Sequence, residues 1–504
     1  MSTEALLSAN FKTKCYEHQL REFELRVDAP CKALAWSMRT GKSKAEIDRA
    51  CHLYKRGLID GVLIFAPNGV HANWIERELP IHMWDGVPHD GLVWRSVISG
   101  IKAVKRLPKA EHEAWHARQA QWWRQLATIK SNSRLMWLAI NSESMTRPDV
   151  RKAVARFLKH RRVLAIFDES DDFGTPGSKR TKMARAMARH CLFRDILSGT
   201  MITGSPLAAF SQFELLEKGA LGFDTYADFK AQYAVEETRN IRGRSFAKVV
   251  GYKNEDDLRK RMARLTSVVL REDCTDMPDL VPVLRKITPS PEQMEVYREL
   301  HRGYIVSIGK ERVSVGERAA RLGKLQQVFS GFVFDEFGQM KKIPGVNPRL
   351  EALSKEVYLA PGKVIIWCQF QPDIDFVVAR LLADGHKVAE YHGRVSDKEK
   401  LNALTSFREN RSIKPLVGHA KSGGRGQDMS VASKIIWYSH TFSARLRQQA
   451  MERATKIGGK NIEVVDFEAP GPDAYIRSVV TKRINVADAI AGTGLRDFLE
   501  GLSL

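Results

Sequence analysis

Ala33-Leu34-Ala35-Trp36-Ser37-Met38-Arg39-Thr40-Gly41-Lys42-Ser43 is the stretch that decides the fold of this chain. An apolar run ends at Trp36, a polar turn follows, and a helix-like segment runs from Lys44 to Leu53. Strand, tight loop and helix in that order make a phosphate cradle, because backbone N–H groups and a helix N-terminus converge on the anion. In this reading Arg39, Thr40 and Gly41 shape the loop, Lys42 reaches the β/γ-phosphates, and Ser43 offers its hydroxyl to Mg²⁺. The full loop pattern has a glycine five positions before Gly41, and Trp36 stands there instead.

A second stretch, Phe167-Asp168-Glu169-Ser170, closes another apolar run, Val163 to Phe167. A carboxylate at a strand end suits a metal ion, so Asp168 is the expected ligand and Glu169 the group that orients water. A lone Gly-Lys-Ser recurs by chance, and Asp-Glu-Ser-Asp can be a solvated acidic turn. Both motifs on strand ends, in the right order, describe an ATP-hydrolysing site.

Composition bounds the rest. The 504 residues are ample for two or three domains with buried cores. With 80 Lys and Arg against 59 Asp and Glu, the net charge of +21 suggests a polyanionic partner, nucleic acid before membrane. Six cysteines are scattered without metal-ligand spacing, which predicts reduced thiols rather than disulfides or zinc ligands. No apolar signal core or membrane-length run occurs, so an intracellular, cytoplasmic protein is expected.

Apolar runs alternate with helical segments from Lys32 to Gly204, through Gly61–Ala66, Leu135–Ile140, Val163–Phe167 and Asp195–Ser198. The alternation returns at Lys363–Cys368, Lys387–Tyr391, Pro415–His419 and Lys434–Tyr438. It predicts an α/β protein with two parallel-sheet halves. Between about 206 and 345 the pattern reads as mostly helical and charge-rich. The expected domains are 1–205, 206–345 and 346–504. One further segment, Ala103 to Lys130, interleaves Lys105, Arg106, Lys109, Arg118, Arg124 and Lys130 with Trp115, Trp122 and Trp123. It reads either as a nucleic-acid grip or as a helix docked by its tryptophans.

The order of motifs resembles the Swi/Snf-like branch of superfamily 2 helicases and translocases, in a compact form similar to bacteriophage-encoded versions. Tyr16-Glu17-His18-Gln19 looks like the upstream glutamine motif, which implies that Gln19 reads the adenine edge. Leu63 to Asn68 with Asn73-Trp74 resembles the motif that touches the tracking strand. Leu197-Ser198-Gly199-Thr200 with Gly204-Ser205-Pro206-Leu207 resembles the motif that couples the ATP and nucleic-acid sites. Val249 to Asn254, Leu270-Arg271, Met277-Pro278, and Ser290-Pro291-Glu292-Gln293 with Tyr297 look like a family-specific helical region. In the second half, Tyr391-His392-Gly393, Ser422 to Met429, and Gln448 to Gly458 follow in the family's order. The resemblance implies two RecA-like lobes with a helical family-specific region between them, and ATP with Mg²⁺ held between the lobes. It also implies DNA contacts near Pro67, Asn141, Gln369 and Ser422, and a nucleotide site completed by Gly426, Asp428 and Gln449.

Gln449, Arg453 and Lys456 are spaced four and three apart, so a continuing helix would present them on one face. Arg453 can make bidentate contact to phosphate oxygens. The family pattern usually has a second arginine where Lys456 stands, and lysine lacks the planar fork. Asp428 replaces a usual asparagine, Met201 a usual proline, and Gly459 a usual glutamine. The resemblance implies an ATP hydrolase that moves along duplex or branched DNA, acting as a monomer, with no membrane and with protein partners left open. For a phage-encoded version, the site of action is the host cytoplasm. Two alternatives remain open at this point: an RNA-directed superfamily 2 helicase, and a DNA-binding protein whose ATPase has decayed.

Overall fold

The computed structural model describes residues 9–68, 70–94, 109–128, 133–199, 201, 205–241, 244–270, 273–274, 278–308, 315–335, 337–421, 428–441, 443–456, 458–474, 476–477 and 480. Gly426, Ser422, Thr200, Gly204, Arg271, Met277 and the flanks of the 103–130 segment lie outside these residues. The chain divides into two compact units, one ending at Cys274 and the other running from Thr275 to Ile484.

Among the described residues, nine strands belong to the first unit: β1 Cys31–Trp36, β2 Gly61–Ala66, β3 His89–Val93, β4 Leu135–Asn141, β5 Val163–Asp168, β6 Phe193–Ser198, β7 Ala234–Ile241, β8 Arg244–Tyr252 and β9 Thr266–Val269. Seven of them form one sheet in the order β3-β4-β2-β5-β6-β1-β9, and every pairing in it is parallel. Strands buried on both faces should be continuously apolar, and β1, β2, β4 and β5 are fully buried along their length. Alternate residues feed opposite cores. Ala33, Ala35, Leu63 and Phe65 pack on one face, and Leu34, Trp36, Val62 and Ile64 on the other.

The helix Lys42–Lys55 crosses one face with a charged seam that has no access to water. Lys32 Nζ lies 3.1 Å from Glu46 and 3.3 Å from Glu22, and Arg49 pairs with Asp195. Arg49 also donates to the carbonyls of Val27 and Ala29. Removing one partner of such a pair strands a buried charge and costs about 3–5 kcal/mol.

The described residues of the second unit form eight strands: β10 Leu280–Lys286, β11 Phe332–Phe334, β12 Met340–Lys342, β13 Lys363–Cys368, β14 Lys387–Tyr391, β15 Ile413–His419, β16 Ala432–Trp437 and β17 Ile462–Glu468. Its main sheet is again all parallel, in the order β10-β17-β16-β13-β15-β14. Ile365 and Trp367 face one core, and Val364, Ile366 and Cys368 the other. The molecule is therefore an α/β protein of two parallel-sheet lobes.

The stretch from 206 to 345 departs from the mostly helical expectation. It holds helices, but also β7 to β12, and it is divided between the units at 274/275. β9 extends the first sheet beside β1, and β10 extends the second beside β17. These are short or exposed edge strands, so they lack the continuous apolar run that marks a central strand.

Candidate active site

The register of the first sheet sets the site. Asp168 pairs with Leu197, and Leu197 with Leu34, so one row across β5, β6 and β1 carries the carboxylate to the strand that feeds the loop. Both motifs emerge at the carboxyl edge of a parallel sheet, where open α/β folds bind ligands.

The loop is held without its missing glycine. Trp36 ends β1 fully buried, and its ring N–H donates to Ser267 Oγ at 2.9 Å. The turn that follows uses left-handed backbone at Arg39 (φ 67°) and Gly41 (φ 86°). A Cβ at Gly41 would lie 2.2 Å from Gln19 Nε2, so only glycine fits the cradle. Thr40 is buried, its hydroxyl donates to Ser37 O at 2.8 Å, and His18 Nε2 lies 2.8 Å from Thr40 O. Lys42 Nζ donates to the carbonyls of Trp36 (2.7 Å) and Ser37 (3.3 Å), which parks the ammonium inside the loop. Ser43 follows in the first turn of the helix.

Gln19 is engaged at both ends of its amide. Its oxygen accepts from Tyr16 N at 2.9 Å, and its nitrogen donates to Gly41 O at 3.0 Å. The structure thus gives Gln19, itself buried, a grip on the phosphate loop.

Asp168 is buried at the end of β5. Its Oδ2 accepts from Trp74 Nε1 at 3.0 Å, and its Oδ1 from the Glu169 amide at 3.0 Å. Burial pushes its pKa up to about 6, with the Glu169 charge in the same direction; the Trp74 hydrogen bond and the Lys42 charge oppose the rise. Glu169 sits in left-handed backbone (φ 51°), a cost of roughly 1–3 kcal/mol for a residue with a Cβ. That conformation turns the chain sharply, so two adjacent carboxylates can leave the strand in different directions.

Several supports carried no readable signal in the sequence. Trp74, expected at the tracking strand, is buried and orients Asp168. Ser170 Oγ donates to Gln212 Oε1 at 2.8 Å, and Gln212 Nε2 donates to Met201 O at 2.6 Å. The Asp-Glu-Ser turn is thereby tied to the strand-end segment after β6, and the proline-to-methionine departure leaves that carbonyl in place. Pro67 and Asn141 leave neighbouring strands, and Glu143 Oε2 accepts from both the Asn68 amide and Asn141 Nδ2. In the Trp-rich segment, the helix Lys109–Thr128 is docked by Trp122. Its ring donates to Val93 O at 3.0 Å and packs edge-on to Trp94.

In the second unit the helix Ala444–Glu452 ends before Arg453, and tighter turns follow: Ala454 N bonds to Met451 O and Thr455 N to Glu452 O. Gln449 and Arg453 are buried, whereas Lys456 is exposed beyond the helix. The single-face arrangement of all three is corrected on that point, because the 3.6-residue period stops at Glu452. The Arg453 guanidinium stacks over Trp367 at 5.7 Å and reaches Ala420 O at 3.4 Å. Asp428 Oδ1 accepts from Ser430 N, and the next residue's amide donates to Arg453 O at 3.0 Å. An asparagine could make the same turn, so the Asp428 departure changes charge more than shape. Gln369, expected near DNA, has its amide bonded to Ser439 Oγ at 2.7 Å.

Among the described residues, no helix is long and apolar enough to cross a membrane, and no cluster of three or more His, Cys, Asp or Glu side chains is arranged to hold a metal. No disulfide joins any of the six cysteines.

Residues 348–458 match the Helicase conserved C-terminal domain family. Human TATA-binding protein-associated factor 172 is 22% identical over 351 residues, which is 59% of this chain and 19% of that protein. The rice DNA excision repair protein CSB is 22% identical over 320 residues, 58% of this chain and 25% of that one. The chromatin-remodeling ATPase INO80 of Cryptococcus neoformans is 24% identical over 147 residues, 29% and 8% respectively. The matches thus span a quarter or less of these relatives. Among solved structures, the Sulfolobus solfataricus SWI2/SNF2 ATPase core in complex with dsDNA is 18% identical, covering 97% of this chain and 95% of that one, with a TM-score of 0.41. By sequence the chain is similar to Swi2/Snf2-like ATPases of superfamily 2.

Proposed function

We propose that the chain is a Swi2/Snf2-like, DNA-stimulated ATP hydrolase that couples turnover to movement along duplex or branched DNA. The observation that carries the ATPase reading is the single strand-end row that joins the Lys42 loop to Asp168 and Glu169. The left-handed loop turn at Gly41 and the buried Asp168 carboxylate fit a nucleotide phosphate with Mg²⁺. Lys42, Ser43 and the loop amides would hold the phosphates, and Ser43 with Asp168 the metal. When bound, Mg²⁺ neutralises phosphate oxygens and offsets charge that develops in phosphoryl transfer.

The chain's own groups supply the rest. Lys42 exchanges its two carbonyl acceptors for phosphate oxygens. Trp74 fixes the Asp168 carboxylate, and Glu169 positions the attacking water and accepts its proton. Gln19, tied to Gly41, links base recognition to loop shape. Arg453 supplies the cation that the transition state requires, with Gln449 and Lys456 as further members of its motif and Gly426 and Asp428 contributed by the preceding one. The likeness to compact phage-encoded versions rests on motif order. DNA rather than RNA is favoured by the nature of the sequence relatives, whose names concern chromatin and DNA repair.

The test is ATPase activity with no nucleic acid, single-stranded DNA, duplex DNA, forked DNA and RNA, beside a strand-displacement assay. Stimulation by duplex or forked DNA is expected. Stimulation by RNA alone would redirect the reading to an RNA helicase, and no hydrolysis under any of these conditions would leave a decayed ATPase.

A further inference from the structure

We infer that the β11–β12 hairpin of the second unit is a stacking pin, whose tip residue Phe337 caps an unpaired or terminal base where duplex DNA gives way to single strands. This rests on the DNA reading above and narrows its substrate to junctions over uninterrupted duplex.

The hairpin is a sheet of its own, with antiparallel strands of three residues each. Two such strands are marginal in water alone, so the base must be held. Phe332 is fully buried there, and its ring meets those of Phe370 and Phe376 at 5.9 and 6.1 Å. Ile343 is buried as well, and its amide donates to Gly331 O at 2.9 Å. β13 ends at Cys368, and Phe370 lies just beyond it. The hairpin is thus rooted at the carboxyl edge of the second parallel sheet, the edge on which open α/β folds bind ligands.

The tip is braced from within. Asp335 Oδ1 accepts from the amides of Phe337 (3.0 Å) and Gln339 (2.8 Å), and Asp335 N donates to Gln339 O at 3.0 Å. Gly338 takes left-handed backbone (φ 75°) to close the turn, and Glu336 lies outside the described residues. A turn favours Gly, Asp, Asn or Ser, and a phenylalanine meets none of its requirements. Yet Phe337 stands there 84% exposed, more than any other large apolar side chain among the described residues.

The register ties that ring to a stripe. Phe332 pairs with Lys342 and Phe334 with Met340, while Val333 pairs with Lys341 on the opposite face. Opposed residues share a face and alternate residues repeat it. One face therefore runs outward from buried Phe332 through Phe334 and Met340, 39% and 42% exposed, to the turn that carries Phe337. The other face carries Lys341, exposed and 3.6 Å from Asp335. So narrow a stripe is too small for a protein partner, since a stable interface covers about 800 Å² per side. A nucleobase needs only one ring face, and a nearby ammonium suits the phosphate beside it. Bases within a duplex are already stacked on one another, so the ring can reach only a frayed end, a fork or a single strand.

The test compares the full chain with F337A and the aromatic F337W. ATPase activity is titrated with a forked DNA and with a relaxed, covalently closed circular duplex, and 2-aminopurine at the fork junction reports stacking by its fluorescence. F337A should need about 5–100-fold more fork for half-maximal stimulation, the range that loss of one base–aromatic stack produces, and should respond to the circle as the parent does. The parent and F337W should change the 2-aminopurine signal, and F337A should not. A parent-like fork response in F337A overturns the pin while leaving the DNA reading intact. Equal loss on fork and circle overturns it too, since the effect would then be general, as does F337W failing alongside F337A. A parent that self-associates in sedimentation while F337A does not assigns the tip to a second copy of the chain and overturns the pin. A parent stimulated by neither DNA overturns the DNA reading itself.

Discussion

The first unit gathers its reactive groups on one sheet edge, and the second spreads its motif past the end of a helix. Asp168 stands level with Leu34 across β6, so the separation of two motifs more than a hundred residues apart in sequence is set by hydrogen-bonded register. Arg453 and Lys456, three residues apart, end in opposite environments, one stacked on Trp367 and the other in solvent. A buried parallel strand ends where its apolar run ends, which sequence shows directly. A helix ends where its last turn tightens, and nothing in the periodicity of Gln449, Arg453 and Lys456 marks that point.

The comparison makes the first unit the more sensitive to single substitutions, and Lys42 with Glu169 the place to begin. Lys42→Ala should abolish productive ATP binding, because the loop has no second ammonium to face the phosphates. Glu169→Gln should still bind ATP yet lose about 10⁴ in turnover, the upper end of what a positioned base contributes. Binding of a labelled ATP analogue, read beside phosphate release, separates the two. Parent-rate hydrolysis by Glu169→Gln would remove Glu169 from the chemistry.

Arg453→Ala tests the second unit. Arginines that face the transferring phosphate contribute roughly 10³–10⁵ in rate, so turnover should fall about 10³-fold with ATP affinity comparatively intact. Because Arg453 also packs on Trp367, Arg453→Lys is the informative partner. Lysine keeps the charge and part of the packing but loses the fork. If Arg453→Lys turns over at the parent rate, Arg453 holds the lobe together and another group supplies the cation.

Much of this architecture was legible beforehand. The runs of β1, β2, β4, β5 and β6 and of β13, β15 and β16 name the central strands, because burial on both faces forces them to be apolar, and the run at β14 was legible although it ends the second sheet. The phosphate loop and the Asp168–Glu169 turn were legible for the same reason. What escaped is what depends on neighbours. β3, β9, β10 and β17 fall at or next to sheet edges, and the ribbon β7–β8 is polar along most of its length. Trp74 reads from sequence as part of a strand-contacting motif, and its 3.0 Å bond to Asp168 appears only once the fold brings the two together. Gln212 gives no hint that it bridges Ser170 and Met201.

Lys456 should produce a smaller effect. Exposed beyond the helix, it has no fixed geometry toward a phosphate, so Lys456→Ala should slow DNA-saturated turnover by roughly 2–10-fold and Lys456→Arg should change it measurably. Parent rates in both would make Lys456 a bystander and leave Arg453 as the cation of that motif.

The smallest expected effect separates the units by pH. Beneath the first unit's loop helix, three buried carboxylates (Glu22, Glu46 and Asp195) face two cations, Lys32 and Arg49. One negative charge lacks a partner, and a proton is the cheapest remedy. Burial first, then the Asp195 charge, push Glu46 up to about 8, against the pull of Lys32 and Arg49. A carboxyl raised on folding contributes stability that is whole below its ordinary value of 4.5 and gone once the pH passes about 8. The second unit buries Arg349 against Asp473 one to one, and its raised acid, Asp373, has finished its loss once the pH is well above about 6. The upper part of the window therefore reads Glu46. Glu46→Gln, neutral at every pH, should raise the melting temperature by roughly 2–8 °C near pH 8.5 and by much less near pH 5. If the parent melts at one temperature across that range, or the variant gains equally at both ends, the seam carries no such proton. The two units would then differ in where they place their motifs and not in how they balance buried charge.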